Sequence, residues 1–234
     1  MACDHLGPHT GASRYVRGSG QLRLVLVCDG CGAERGELGT IGYRPRGRRL
    51  VGHLAELTAR ELGLGEARIA RVRLAAMICD VGRDQIPSEI LNKRGPLTRE
   101  EWTEVRRQPA LGAALLSDTS FDDIRDWILS RRERVDGGGY PRGLRGEEIP
   151  LEARILAVAE AYVAMTGESA HAPVREHEHA VAELLTCADV QFDSAVVHAF
   201  VLASARRAAV SVAPGEGRCE ARAVDRAVTS LHAR

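Results

Sequence analysis

The spacing of hydrophobic residues changes twice along the chain. Leu22, Leu24 and Leu26 lie at alternate positions within an apolar run, which predicts a short β-strand. From about Leu50 to residue 208, apolar residues recur three and four positions apart, which is the pattern of amphipathic helices. Residues 209–234 contain Pro214 and two glycines before a mostly polar stretch. The pattern predicts three parts: a small β segment over 1–43, a helical domain over 44–208, and a tail with a peripheral helix over 209–234.

About seven helices are predicted in the central domain. The first carries Leu50, Leu54 and Leu57 on one face. The third begins near Thr98, where Glu101 three residues later completes a capping-box pattern, and it is broken or kinked at 108–109. The others are predicted over about 66–80, 121–133, 151–166, 176–188 and 193–208.

Polar side chains fall on the apolar faces of several of these helices. They are His53, Asp80, Gln108, Arg131, Arg132 and Glu160. A single such residue is most often a satisfied polar group of the core. Several are costly to bury unless they meet one another or a ligand, so the pattern predicts one shared interior site.

The N-terminal segment contains a possible zinc knuckle. The predicted strand runs into a CxxC pair, Cys28 and Cys31, and a CxH pair, Cys3 and His5, precedes it. Together these residues would give a closed tetrahedral Cys₃His site with a structural role. A free or redox-active thiol pair and inert cysteines are the alternative interpretations.

The overall charge excludes several classes of partner. The 234 residues include 32 basic and 32 acidic ones, so no net field attracts nucleic acid or an anionic membrane. We find no apolar run long enough to span a bilayer and no hydrophobic core of a signal peptide, which predicts a cytoplasmic protein. In that compartment the six cysteines are expected to be thiols or metal ligands.

A glycine-rich loop follows the two adjacent arginines. Its most informative residues are Asp136, Gly137, Gly139, Tyr140, Pro141 and Arg142. Glycine permits a left-handed backbone and close approach to another surface, and proline fixes φ. By residue type alone, the loop is either a connector or a contact surface.

The amino-acid sequence of this loop resembles that of a known family. The run RERVDGGGYPRGLRGEEIPLEARILAVAEAY resembles the signature of HD-GYP domains, bacterial phosphodiesterases that open cyclic di-GMP. ICDVGRDQIPSEILNKRGPLTREEW resembles the HD segment of that family, and EHAVAELLTCADVQFDSAVVHAF resembles its C-terminal helices. The resemblance covers about 45–206 and implies an all-α bundle of the HD superfamily, here preceded by the small β segment.

The resemblance also assigns the family's metal-ligand positions, and most of them are altered here. The family histidine of the first helix is matched by His53 and the His-Asp pair by Cys79-Asp80, with Arg83 in place of the following lysine. The later positions are taken by Gln108, Arg131, Arg132 and Glu160, where the family has three histidines and an aspartate. The phosphate-binding Arg-Pro-Tyr-Arg segment of the family aligns with Ser-Ala-His-Ala at 169–172.

These replacements predict the loss of metal-dependent hydrolysis. A metal pair needs imidazole and carboxylate ligands, whereas a guanidinium has no acceptor and repels cations. Three interpretations remain open. Arg131 and Arg132 form an internal strut with Asp80 and Glu160; or they form a receptor for a nucleotide phosphate; or one zinc or iron site is rebuilt from His53, Cys79, Asp80 and Glu160.

The predicted function is therefore that of a degenerate HD-GYP protein. It would act by binding a ligand or protein in cyclic-di-GMP-type signalling, with a cyclic dinucleotide or a diguanylate cyclase (GGDEF) domain as candidate partners. The loop, which the resemblance links to GGDEF contacts, is either a structural keystone or a partner surface. The alternatives are an active metal-dependent cyclic di-GMP phosphodiesterase with an unorthodox site, and an interaction protein whose specificity lies in the knuckle.

Overall fold

The computed structural model describes residues 9–16, 21–28, 34–42, 45–93, 95–116, 121–167 and 174–211, with side chains from Arg48 to Arg206 within these ranges. The first three ranges form an antiparallel sheet in the order β1-β2-β3, with strands β1 (His9–Val16), β2 (Gln21–Cys28) and β3 (Glu34–Gly42). The predicted strand is the central one. Cys28 ends β2, but Cys3, His5 and Cys31 lie outside the described residues, so the zinc knuckle stays a prediction.

The rest of the described chain is helical, as predicted. The helices are α1 (Pro45–Glu61), α2 (Glu66–Ile78), α3 (Ser88–Leu91), α4 (Arg99–Arg106), α5 (Gln108–Ala114), α6 (Asp122–Ser130), α7 (Leu151–Thr166), α8 (His177–Thr186) and α9 (Ser194–Ser211). Two 3₁₀ turns, Val81–Gln85 and Gly146–Glu148, lie between them. Helix α9 extends three residues past the predicted boundary at 208. Within the described helices, we find none with the length and apolar character needed to cross a membrane.

The buried face of α1 differs from the predicted one. Val51, Leu54 and Ala55 lie in the core, and the stripe continues one turn later through Thr58 and Ala59. His53 is exposed, so its predicted position on the apolar face is wrong. The physical reason is that the buried face of α1 is rotated slightly about the helix axis from the predicted one. A buried stripe through positions 51, 54, 55, 58 and 59 leaves position 53 outside it.

The break between α4 and α5 agrees with the sequence pattern. The backbone N–H of Glu101 donates to Thr98 Oγ1 at 3.3 Å, and the Thr98 N–H donates to Glu101 Oε2 at 2.7 Å, which is the predicted capping box. Helix α4 ends at Arg106 and α5 begins at Gln108. Pro109 lies in the first turn of α5, where its missing N–H removes no helical hydrogen bond.

A close backbone approach joins the turn after α2 to α5. A Cβ added at Gly82 would lie 2.1 Å from the Gln108 carbonyl oxygen and 2.5 Å from the Gly112 nitrogen. Only glycine therefore allows the 3₁₀ turn to pack directly against α5. This contact brings Asp80, at the end of α2, next to the side chain of Gln108.

Candidate functional site

A cavity of about 1470 Å³ lies at the ends of several helices of the bundle. The residues predicted to share an interior site that line it are Cys79, Asp80, Arg83, Arg131, Arg132 and Glu160. Gln108 reaches the same cluster through Asp80. His53 is exposed and does not line the cavity. The sequence pattern thus located the cluster correctly, with His53 as its one wrong member.

The centre of the cluster is an arginine between two carboxylates. Arg131 Nη1 donates to both oxygens of Glu160, at 2.6 and 2.9 Å, and Nη2 donates to Asp80 Oδ1 at 3.3 Å. The side chain of Arg131 is 0% exposed and that of Glu160 only 11%. Both bonds to Glu160 come from one guanidinium nitrogen, while the other terminal nitrogen binds Asp80, and such buried charge-assisted hydrogen bonds are strong. The pairing is the one expected for an internal strut.

Arg132 has a different environment from its neighbour. Its Nη2 lies 3.7 Å from Glu160 Oε2, and its side chain is 39% exposed. A pair at this distance and exposure contributes little to stability. The strut is therefore made by Arg131, whereas Arg132 lies at the wall of the cavity with much of its guanidinium available to other groups.

Two neutral groups complete the cluster. Gln108 Nε2 donates to Asp80 Oδ1 at 3.0 Å, and the Cys79 thiol donates to Glu160 Oε1 at 2.7 Å. Burial raises the pKa of Cys79 well above its usual range, and the nearby charges of Glu160 and Asp80 raise it further. Cys79 is therefore a protonated hydrogen-bond donor at neutral pH.

The charges of the ionised groups support one another. Burial alone would raise the pKa of Asp80, but Arg131 and then Arg48 outweigh it, and the pKa lies below its ordinary value. Burial alone would lower the pKa of Arg131, but Glu160 and Asp80 outweigh it, and the pKa lies above its ordinary value. The guanidinium and the Asp80 carboxylate thus stay ionised as a pair.

The residues present do not fit a pair of metal ions. Cys79, Asp80 and Glu160 each offer a ligand atom, and these atoms lie within 4.8 Å of one another. However, both carboxylates already accept from Arg131, and the thiol is protonated. An ion would have to displace a buried guanidinium that cannot lose its charge. His53, the fourth member of the predicted rebuilt site, is not near enough to help.

The glycine-rich loop is held by an acid that sequence reasoning missed. Glu133 is buried; its Oε1 accepts the Arg142 N–H at 2.6 Å and its Oε2 accepts the Leu144 N–H at 3.1 Å. The signal was a carboxylate just after α6 and before a loop whose backbone donors need acceptors. These bonds support the interpretation of the loop as a structural keystone.

Asp136 fixes the first turn of the loop. Its Oδ1 accepts the Gly138 N–H at 2.8 Å, and its Oδ2 lies 2.7 Å from Arg134 Nη2. Hydrogen bonds from Arg134 and Gly138 lower the pKa of Asp136 to about 2. Gly137 has φ of +79°, a conformation that favours glycine. Tyr140, which precedes Pro141, lines the cavity. The guanidinium carbon of Arg106 lies over the Tyr140 ring, 5.5 Å from the ring centroid.

A methyl group at Gly139 should destabilise the protein. Its Cβ would lie 2.4 Å from the Arg134 nitrogen, and a backbone atom cannot move aside as a flexible side chain can. We expect Gly139→Ala to lower the free energy of unfolding by about 1–3 kcal/mol in urea denaturation. Gly138→Ala is the matched control, because its Cβ would meet side-chain atoms, Asp136 Oδ1 at 3.0 Å and Arg134 Nε at 3.4 Å, and no backbone atom within that distance. Equal losses in both variants would contradict the keystone interpretation.

Two further residues of the cavity were not identified from the sequence. Arg48 precedes the helical pattern that the sequence shows from about Leu50, but α1 begins at Pro45 and carries Arg48 into the cavity wall. Trp102 lies on α4 and lines the same cavity while 49% exposed. A run of arginines around Pro45 gives no periodicity by which the buried one could be recognised.

Comparison with known proteins identifies relatives of the helical part. The family model described as an HD domain matches residues 35–196. The cyclic di-GMP phosphodiesterase response regulator RpfG of Xanthomonas campestris is 43% identical over 118 residues, which are 49% of this chain and 31% of the relative. A cyclic di-GMP phosphodiesterase of Thermotoga maritima is 33% identical over 154 residues, which are 64% of this chain and 42% of the relative.

A solved structure shares the fold. The crystal structure of a cyclic GMP-AMP specific phosphodiesterase from Vibrio cholerae aligns with a TM-score of 0.57 at 18% identity, covering 73% of this chain and 46% of that one. The shared fold and the family model together confirm the predicted fold class, an HD-superfamily helical bundle. The matches span 31% and 42% of the length of the two curated relatives, so the chain corresponds to a part of them.

Proposed function

Since the chain belongs to the HD domain family, as its HD-GYP resemblance predicts, we propose that it is a member that binds without hydrolysing. The protein would take part in cyclic-dinucleotide signalling, because relatives of the chain are named as cyclic di-GMP phosphodiesterases. The proposed ligand is a cyclic dinucleotide held in the cavity that contains Asp80 and Glu160.

One observation carries the proposal. The guanidinium of Arg131 lies between Asp80 and Glu160, the two carboxylates that the resemblance assigns to metal ligands. Hydrolysis by a metal pair requires a bound water with a pKa near neutrality, and the metal charge provides that shift. The guanidinium of Arg131 supplies positive charge in place of the metal ions, but it cannot coordinate a water molecule and lower its pKa as a metal ion does. The site keeps its internal charge balance and loses its nucleophile.

The loop gives no separate support for a protein partner. Glu133 and Asp136 account for its backbone hydrogen bonds from within the chain. A GGDEF-domain partner therefore stays a prediction, as does the structural zinc of the N-terminal segment.

The test is turnover and metal content measured on the same purified sample. We expect no hydrolysis of cyclic di-GMP or cyclic GMP-AMP with added manganese or iron, and no more than the one zinc ion that the knuckle would bind. Asp80→Asn is the control, since any activity from a contaminant persists in it. Turnover that disappears in Asp80→Asn would refute the proposal and favour the alternative, an active phosphodiesterase with an unorthodox site.

A further inference from the structure

Several hydrogen-bond donors in the cavity have no acceptor. Among the described residues, four buried side-chain nitrogens lack a hydrogen-bond partner. Three belong to arginines that line the cavity, namely Arg48 Nη1, Arg131 Nε and Arg132 Nε. The fourth, Arg154 Nε, lies elsewhere. A buried donor without a partner is costly, and more so on a charged group. Their occurrence around one cavity points to a ligand that brings acceptors.

Arg48 is the most informative of the three. It is only 7% exposed, and it lies in the first turn of the 17-residue helix α1, which carries no acidic residue there. The N-terminus of a helix has a partial positive charge, so a buried cation at this end is unfavourable unless an anion is near. Asp80 lies close enough for Arg48 to lower its pKa, but Arg48 Nη1 still has no hydrogen-bond partner.

The carboxylates that line the cavity have partners within the chain. Asp80 and Glu160 accept from Arg131, and Glu160 Oε2 also lies 3.7 Å from Arg132 Nη2. Glu133 accepts backbone N–H groups of the loop, and Arg134 pairs with Asp136. The lining has five arginines and four carboxylates, and the pair of Arg134 with Asp136 offsets the difference. The cavity therefore offers a ligand unpaired guanidinium N–H groups rather than a net positive charge.

We infer that Arg48 and Arg132, with the free Nε of Arg131, form a metal-independent anion site that binds the phosphate group of a nucleotide. Guanidinium groups suit phosphate because their N–H groups match its oxygens. Trp102 and Tyr140 line the same cavity and offer aromatic faces on which a base can stack. This inference rests on the proposed function, because it names the groups that hold the ligand of the non-hydrolysing site.

The test uses the full chain in EDTA, so that no metal ion contributes. Guanosine monophosphate and cyclic di-GMP carry the phosphate, whereas guanosine carries the base alone. Binding is followed by thermal shift and by tryptophan fluorescence, in which Trp102→Phe shows whether the signal arises in the cavity. We expect both phosphate-bearing probes to bind, and guanosine to give no shift.

Arg48→Met is the decisive variant, and Arg49→Met is its control. Arg49 is the next residue of the same helix, is exposed, and does not line the cavity. We expect Arg48→Met to weaken binding about 10- to 100-fold, which corresponds to one charged hydrogen bond, and Arg49→Met to change it less than about threefold. Without ligand, we expect Arg48→Met to change the melting temperature little, because the variant removes an unsatisfied buried donor and also a charge that lowers the pKa of Asp80.

The outcomes separate this inference from the proposed function. If neither phosphate-bearing probe binds in EDTA, or if Arg48→Met binds as tightly as Arg49→Met, the anion site is wrong, whatever the turnover assay shows. If Arg48→Met does not fold, Arg48→Lys keeps the charge but loses the fork and should still weaken binding relative to Arg49→Lys. Hydrolysis that depends on Asp80 would overturn the proposed function. It would leave the binding measured in EDTA unchanged, because no metal ion is present in that test.

Discussion

Replacing Arg131 with methionine is expected to lower the free energy of unfolding by about 3–5 kcal/mol, the cost of breaking a buried ion pair from one side. The variant would leave Glu160, whose side chain is 11% exposed, without its buried arginine partner, and Asp80 with Gln108 as its remaining donor. Urea denaturation followed by circular dichroism measures the change. The midpoint should fall without a large change in the denaturant slope.

A second substitution should recover much of this loss. In Arg131→Met/Glu160→Gln the carboxylate left alone becomes a neutral amide, whose oxygen can still accept from Cys79. We expect the double variant to be more stable than Arg131→Met. The loss of stability in the double variant is then smaller than the sum of the losses in the two single variants, which is the sign of a direct interaction between the two side chains. Arg107→Met is the matched control, because its pair with Glu104 is exposed and should change stability by less than about 1 kcal/mol. If Arg131→Met costs no more than Arg107→Met, the strut is wrong.

The site was predictable from sequence wherever the helical register was unambiguous. In α6, Ile124 and Ile128 are both buried, and the same face continues to Arg131. In α7, Leu156 and Ala159 are buried as predicted, with Glu160 beside them. Buried apolar residues at helical spacing just before each polar residue fixed these positions, and a period of 3.6 then leaves little freedom.

The failures came from segments without such a register. In α1, leucines and small residues allow two neighbouring stripes, and the choice through Leu50 and Leu57 placed His53 inside, whereas Val51 and Ala55 are the buried residues. The outer strands of the sheet were missed because β1 is mostly polar and β3 contains three glycines. The positions of Glu133 and Arg48 depend on contacts across the fold, which no local pattern encodes.

The chemistry of the cluster explains why its fold persists without the family's histidines. A charged centre is compatible with a helical core when its charges are paired and hydrogen-bonded, and Arg131 meets both conditions with Glu160 and Asp80. Cys79 and Gln108 then add neutral donors to Glu160 Oε1 and Asp80 Oδ1, oxygens that also accept from Arg131. The positive charge at the centre of the cluster is thus part of the chain itself.

Restoring four histidines should convert this centre into a metal site. In the variant Cys79→His/Gln108→His/Arg131→His/Arg132→His, neutral imidazoles join the carboxylates of Asp80 and Glu160, and these are ligands that manganese and iron accept. We expect about two metal ions per chain beyond the content of the unaltered protein, measured by elemental analysis after desalting. Circular dichroism on the same sample verifies that the variant is folded.

The control keeps Arg131 and changes the other three positions to histidine. Although it gains three imidazoles, its buried guanidinium still occupies both carboxylates and repels cations, so we expect no additional metal. The difference between the two variants therefore isolates one side chain. If the threefold variant binds as much metal as the fourfold one, Arg131 is not what excludes the ions. If a folded fourfold variant binds none, these positions do not correspond to the metal ligands of the family.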